Sequence, residues 1–217
     1  MNEEKDYYDS FDSTWGKSDD RGEGFYASPT KFHTLYVIET AELILTVVAL
    51  LGALIQATMF ALLCIIIMLF TSIAYLVTVM GLKEFNDLFR VAGLFYLGKV
   101  ILRFINNLFL VGALEDLVEV VIAILSLMYT LRFCDGCAEL LKNRHSGLVD
   151  SWMKYRRYSL YIFVVTVVST ILIYVPILNI LAGIAIVIVA VCNIAMLFWH
   201  INLLSNTDSV LCGGEAI

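Results

Sequence analysis

Charge is scarce in this chain: Asp, Glu, Lys and Arg together make up 16% of its 217 residues, against about 25% in soluble domains. Proline is scarcer still, at two residues, and so apolar a chain with so little proline is neither disordered in bulk nor collagen-like. Five cysteines make no disulfide framework. Bases do not outnumber acids (14 against 20, net charge -6), so the basic face of a general nucleic-acid binder is missing. Also absent are a G-x-x-x-x-G-K-[ST] nucleotide loop, an H-E-x-x-H helix and a G-x-S-x-G elbow. Neither an enzymatic activity nor a cofactor is expected. What is present is apolar mass, 60% of all residues with a mean hydropathy of +0.86. That composition implies an all-α integral membrane protein, not a soluble domain.

The spans can be read from charge-free runs. From Leu43 to Leu82 no charged residue occurs; as one helix that run would measure about 60 Å, twice the hydrocarbon thickness. Two crossings joined by a tight apolar turn near Gln56, Ala57 and Thr58 solve the problem. Ala49, Ala53, Ala57 and Ala61 recur every fourth residue, a stripe that admits a close helix neighbour and also fits an unbroken helix. From Tyr158 to Leu204 the same arithmetic applies, and here Pro176 marks the bend. Between these hairpins, 84–112 and 117–131 are apolar segments with a few charges, joined at Gly112-Ala-Leu-Glu-Asp. The reading is a polytopic bundle of about six spans near 36–55, 58–81, 88–111, 117–134, 158–175 and 178–204. Laid flat on the membrane instead, 84–107 would form an amphipathic surface helix and the count would be five.

Orientation follows from Lys and Arg in short connections. Residues 132–157 hold Arg132, Lys142, Arg144, Lys154, Arg156 and Arg157 and are expected as a cytoplasmic loop, whose helix is capped by Asp150 or Ser151. Trp152, Tyr155 and Tyr158, interleaved with these bases, suit anionic headgroups. Glu115 and Asp116, without a base, point outward. Both chain ends then lie in the cytoplasm, and the layout resembles many small multi-spanning proteins of bacterial cytoplasmic membranes. Residues 1–34 carry eight acids and four bases, with no apolar periodicity and no basic stretch leading into an apolar one. They are expected as a disordered acidic tail rather than a signal peptide. Residues 205–217 form a short C-terminal tail.

Four side chains stand out inside the spans. Lys99, Arg103 and Asn106, spaced by four and three, share one face of the third helix. A charge at the bilayer centre costs about 2.5–3.5 kcal/mol, so it should face the bundle and find an acid. Glu119 is one such acid, and Glu39 and Glu42 on the first helix are others. The group is either a polar path or an interhelical ion pair that fixes packing. Cys134-Asp135-Gly136-Cys137, with His145 eight residues on, is a weak zinc or thiol-exchange motif, because no second ligand pair accompanies it. Asn193 and His200 share a face of the last helix; His200, beside Trp199, reads as an interfacial anchor.

The leading reading is a non-enzymatic membrane protein that binds or scaffolds a partner in the bilayer. A protein would dock through residues 1–34, or a second copy through the Ala stripe. The alternative is a small transporter or channel lined by Lys99, Arg103 and Glu119. The topology is checked by thiol labelling of intact cells carrying single-cysteine variants at Gln56, Leu114, Ser146 and Ile177. Labelling from outside is expected at 56, 114 and 177, with protection at 146; protection at 114 would lay the third segment on the cytoplasmic surface.

Overall fold

A computed structural model describes residues 30–54, 58–109, 113–172, 175 and 177–212. These form six helices and, among the described residues, no strand: α1 (Thr30–Leu54), α2 (Thr58–Gly81), α3 (Asp87–Phe109), α4 (Ala113–Leu141), α5 (Ser146–Leu172) and α6 (Asn179–Leu211). A single 3-10 turn, Leu82–Glu84, joins α2 to α3. Helices suit runs this apolar because each satisfies its own backbone N–H and C=O groups without water. Four of them hold stretches long and apolar enough to cross a membrane: Lys31–Ala49, Ile66–Glu84, Val118–Leu141 and Ile180–Leu211. The other two are more polar. Asp87, Arg90, Lys99 and Arg103 punctuate α3, and Asp150, Lys154, Arg156 and Arg157 occupy the first half of α5.

Each helix packs on its chain neighbours, and α6 returns to pack on α1. The bundle is therefore a ring closed by its first and last members. Its core is concentrated at one end, where α1, α3 and α5 begin and α2, α4 and α6 finish. Phe32, Leu82, Phe89, Phe133, Trp152 and Leu204 are fully enclosed there. Trp152 Nε1 donates to Thr207 Oγ1 at 3.0 Å, joining α5 to α6. Lys31 Nζ donates to Gly81 O and Glu84 Oε2, each at 2.8 Å, tying α1 to the end of α2. His33 faces Asp208 at 3.3 Å across the α1–α6 seam. Away from this end, Ile44, Leu51, Ile171, Ile184, Val187 and Val191 are among many large apolar side chains left uncovered.

The charged stretch 132–157, expected as a loop, is almost wholly helical. α4 runs on to Leu141 and α5 starts at Ser146, leaving four residues to turn. Counting charges finds where a chain should leave hydrocarbon, whereas a helix ends where its backbone is capped. The cap of α5 is neither Asp150 nor Ser151. His145 Nδ1 accepts the Leu148 N–H at 3.0 Å, and Ser151 Oγ donates to Gly147 O within the helix. Trp152 and Tyr155 are buried against Phe133 and His200 instead of facing headgroups. The bend at Pro176, the turn at Gln56 and Ala57, Gly112 and the tail up to Pro29 lie outside the described residues. Beside Pro176, Val175 N donates to Leu172 O and Leu178 N to Val175 O, at 3.0 and 2.9 Å.

Gly136 lets α3 and α4 touch. A β-carbon there would stand 3.0 Å from Phe89 Cζ, and the Phe89 ring is held edge-on by Phe32 and Phe133 with no exposure. Gly183, in α6, has nothing within 4 Å of such a carbon. Gly136→Ala should therefore destabilise the detergent-solubilised protein by about 1–3 kcal/mol through overpacking. Gly183→Ala should be neutral or stabilise by up to about 1 kcal/mol through helix propensity. Thermal unfolding of both variants measures the contrast, which equal effects would contradict.

Candidate functional site

All six helices contribute to one polar cluster inside the ring. Glu39 and Glu42, three apart, lie on the same side of α1, where their desolvated carboxylates need partners. Glu39 Oε1 lies 3.2 Å from His200 Nε2 of α6, with both side chains largely buried. Glu42 Oε1 accepts hydrogen bonds from Thr71 Oγ1 at 3.0 Å and Ser72 Oγ at 3.3 Å, both on α2. One turn along α2, the Tyr75 hydroxyl meets the Tyr129 hydroxyl of α4 at 2.5 Å. Tyr96 of α3 completes a packed trio, its ring centroid 5.0 Å from Tyr75 and 5.2 Å from Tyr129.

The imidazole of His200 sits in an aromatic enclosure. Ring centroids of Tyr155, Trp152 and Phe133 lie 5.2, 5.5 and 5.8 Å from it. Its Nε2 faces Glu39, while its Nδ1 is buried with no hydrogen-bond partner. An orphan nitrogen in so enclosed a ring costs free energy that ordinary packing does not repay.

The residues singled out in the sequence fall around this cluster, in two groups. Lys99 is half-buried, its ammonium 4.7 Å from the Tyr96 ring centroid, and its charge is within range of Glu39, Glu42 and Arg103. Its acids are thus the α1 carboxylates, not Glu119. Glu119 instead accepts a hydrogen bond from Asn106 Nδ2 at 2.9 Å, nearer the opposite end of the ring. Asn106 is buried and its Oδ1 has no partner, whereas Arg103 and Glu119 are exposed. Along α3, Tyr96, Lys99, Arg103 and Asn106 are spaced by three, four and three residues. They draw a polar line of about 15 Å from the buried cluster toward the Asn106–Glu119 pair.

Cys134 and Cys137 are both enclosed in the core, and the residues between them have their own structural partners. Asp135 Oδ1 stands 2.9 Å from Arg156 Nε of α5, and Gly136 receives Phe89. His145 is occupied as the α5 cap. Among the described residues, no group of three His, Cys, Asp or Glu side chains is placed to hold a metal ion. Asn193, expected beside His200, is exposed; with Ser126, Thr130, Tyr155, Ser159 and Thr166 it lines a cleft of about 420 Å³ between α4, α5 and α6.

His200 is the residue that sequence reasoning misplaced. The available signal was the isolation of three titratable groups, Glu39, Glu42 and His200, in otherwise apolar helices. Such groups are expected to find one another. Comparison with protein-family models, curated proteins and solved structures finds no match to this chain.

Removing one member of a buried pair strands the other, at a cost of about 3–5 kcal/mol. His200→Leu should therefore destabilise strongly in detergent unfolding, and adding Glu39→Leu should recover most of the loss. Strictly additive single and double variants would show that the two side chains do not interact.

Proposed function

We propose that this protein is a six-span integral membrane protein that moves a small ion through the interior of its helical ring. The observation that carries the reading is the Glu39–His200 pair, enclosed between the first and last helices and continued by Tyr75, Tyr129, Glu42 and Lys99. Titratable groups at such depth are expensive, and they mark ion and proton routes more often than packing. A purely structural bundle would hold the same helices together with apolar side chains at no such cost.

The distribution of charge supports the orientation. Lys83, Arg90, Arg132, Lys142, Lys154 and Arg157 cluster at the packed end of the ring, which the positive-inside bias assigns to the cytoplasm together with both chain ends. The uncovered apolar side chains suit contact with lipid tails. The partner-binding reading rests on residues 1–34 and on an alanine stripe, most of which lie outside the described residues. The ion pathway draws on side chains with stated partners and distances.

The test is ion flux in liposomes reconstituted with the full chain, with potassium, chloride and protons followed separately. At least one should cross faster than in protein-free liposomes, and Glu39→Gln should reduce that flux by about tenfold or more, as expected when a transfer group is lost. Absence of flux for all three ions would overturn the reading.

A further inference from the structure

We propose that the cleft between α4, α5 and α6 is a binding site for an uncharged lipid whose polar end carries a hydroxyl group. The site stands apart from the Glu39–His200 pair and does not depend on ion flow. Of the described rings in contact with His200, Tyr155 alone also lines the cleft.

Position is the first observation. α4 contributes Ser126 and Thr130 to the lining. The nearest charged residues along that helix, Glu119 and Arg132, are each about 10 Å from Ser126. α5 contributes Ser159 and Thr166, and α6 contributes Asn193, all within the stretch between Arg157 and Asp208 that holds no acid, Lys or Arg. The cleft thus lies away from the charged ends of its helices, where a membrane supplies lipid instead of water.

Polarity is the second. An amide in hydrocarbon ordinarily bonds a neighbouring helix, yet among the described residues the Asn193 side chain is exposed and makes no such bond. A polar group left in that state costs free energy until something pairs with it. Thr130, Ser159 and Thr166 donate their hydroxyl hydrogens to Ser126 O, Tyr155 O and Ile162 O, at 2.9, 3.0 and 2.8 Å. With those hydrogens engaged inside their own helices, the three oxygens can only accept from a ligand. The Asn193 amide can both donate and accept.

This inventory selects the ligand. A hydroxyl donates to one of the three oxygens and accepts from the Asn193 amide. A carboxylate or phosphate brings only acceptors, and no lining residue is cationic; an ammonium group meets acceptors but no acid. An ether or ester lacks the hydrogen that the three oxygens would receive. Phe163, Met196 and Leu197 provide apolar walls for a hydrocarbon chain. Size decides against a protein segment. The cleft measures about 420 Å³, within the range of about 300–1,000 Å³ for small-molecule sites, whereas two turns of a helix about 10 Å across fill about 850 Å³. One lipid chain enters where a helix from a second copy does not.

The experiment uses the full chain in phosphatidylcholine liposomes, illuminated with dodecanol that carries a diazirine next to its hydroxyl-bearing carbon. Labelled peptides are located by mass spectrometry. Adducts should concentrate on the parts of α4, α5 and α6 that line the cleft, and excess unmodified dodecanol should reduce them about tenfold. Dodecane and the methyl ether of dodecanol should compete about fivefold less well, because neither donates a hydrogen bond. Asn193→Leu should lower labelling by about fivefold to tenfold, and Thr166→Val, which removes a hydroxyl and keeps the shape, by about twofold to fivefold. Val187→Ala, an exposed position of α6 outside the cleft, should label as wild type does. Adducts spread evenly over the lipid-facing helices, or undiminished by excess dodecanol, would overturn the site. Equal competition by dodecane would overturn recognition of the hydroxyl, as would wild-type labelling of Asn193→Leu and Thr166→Val. Should one of these variants fail to give a single sharp species in detergent, the other decides.

Discussion

The contact between Glu39 and His200 joins the first helix to the last at depth inside the ring, and much of the molecule's organisation follows from it. Neither group is affordable alone in an apolar interior. Pairing them requires α6 to lie against α1, so a chain that could have stayed an open row of hairpins is closed on itself. His33 and Asp208 repeat the pairing nearer the helix ends, and Trp152 with Thr207 fastens α5 to the same helix. The aromatic core at that end then encloses the histidine.

Much of the helical architecture was legible in residue order, because uncharged runs too long for one crossing force a hairpin. Less legible was where helices stop. The density of charge between Arg132 and Arg157 suggests a loop, yet Arg156 reaches Asp135 while both remain helical, so opposite charges on adjacent helices satisfy each other without a break in either. A histidine cap at position 145 carries little signal in sequence, since Ser, Thr, Asp and Asn are the residues that ordinarily mark a helix start.

The site was half visible. Lys99, Arg103, Asn106 and Glu119 were recognisable as charged or amide groups in apolar surroundings, and two of them, Asn106 and Glu119, do bond to each other. The tyrosines were not recognisable, because a Tyr in an apolar helix has the same pattern whether its hydroxyl reaches lipid headgroups or another Tyr. Tyr75 and Tyr129 meet only after α2 and α4 are folded side by side. The C-x-x-C motif shows the converse. Its two thiols are buried by packing, and its glycine is needed for the approach of Phe89, so a spacing that suggests metal chemistry is fully employed in holding α3 to α4.

Ring closure by the chain's two extremes also dictates an order of events in biosynthesis. α1 is made first and α6 last, so Glu39 enters the bilayer long before its histidine has been synthesised. Until then the carboxylate must be carried in its neutral acid form or kept near water at the membrane surface. Thr71 and Ser72, which arrive with the very next helix, offer hydroxyls to the adjacent Glu42 and not to Glu39. The first helix is thus held in a provisional state throughout translation, and the pair comes into being only when the final helix docks. A chain that stalls before α6 would lack the seam entirely.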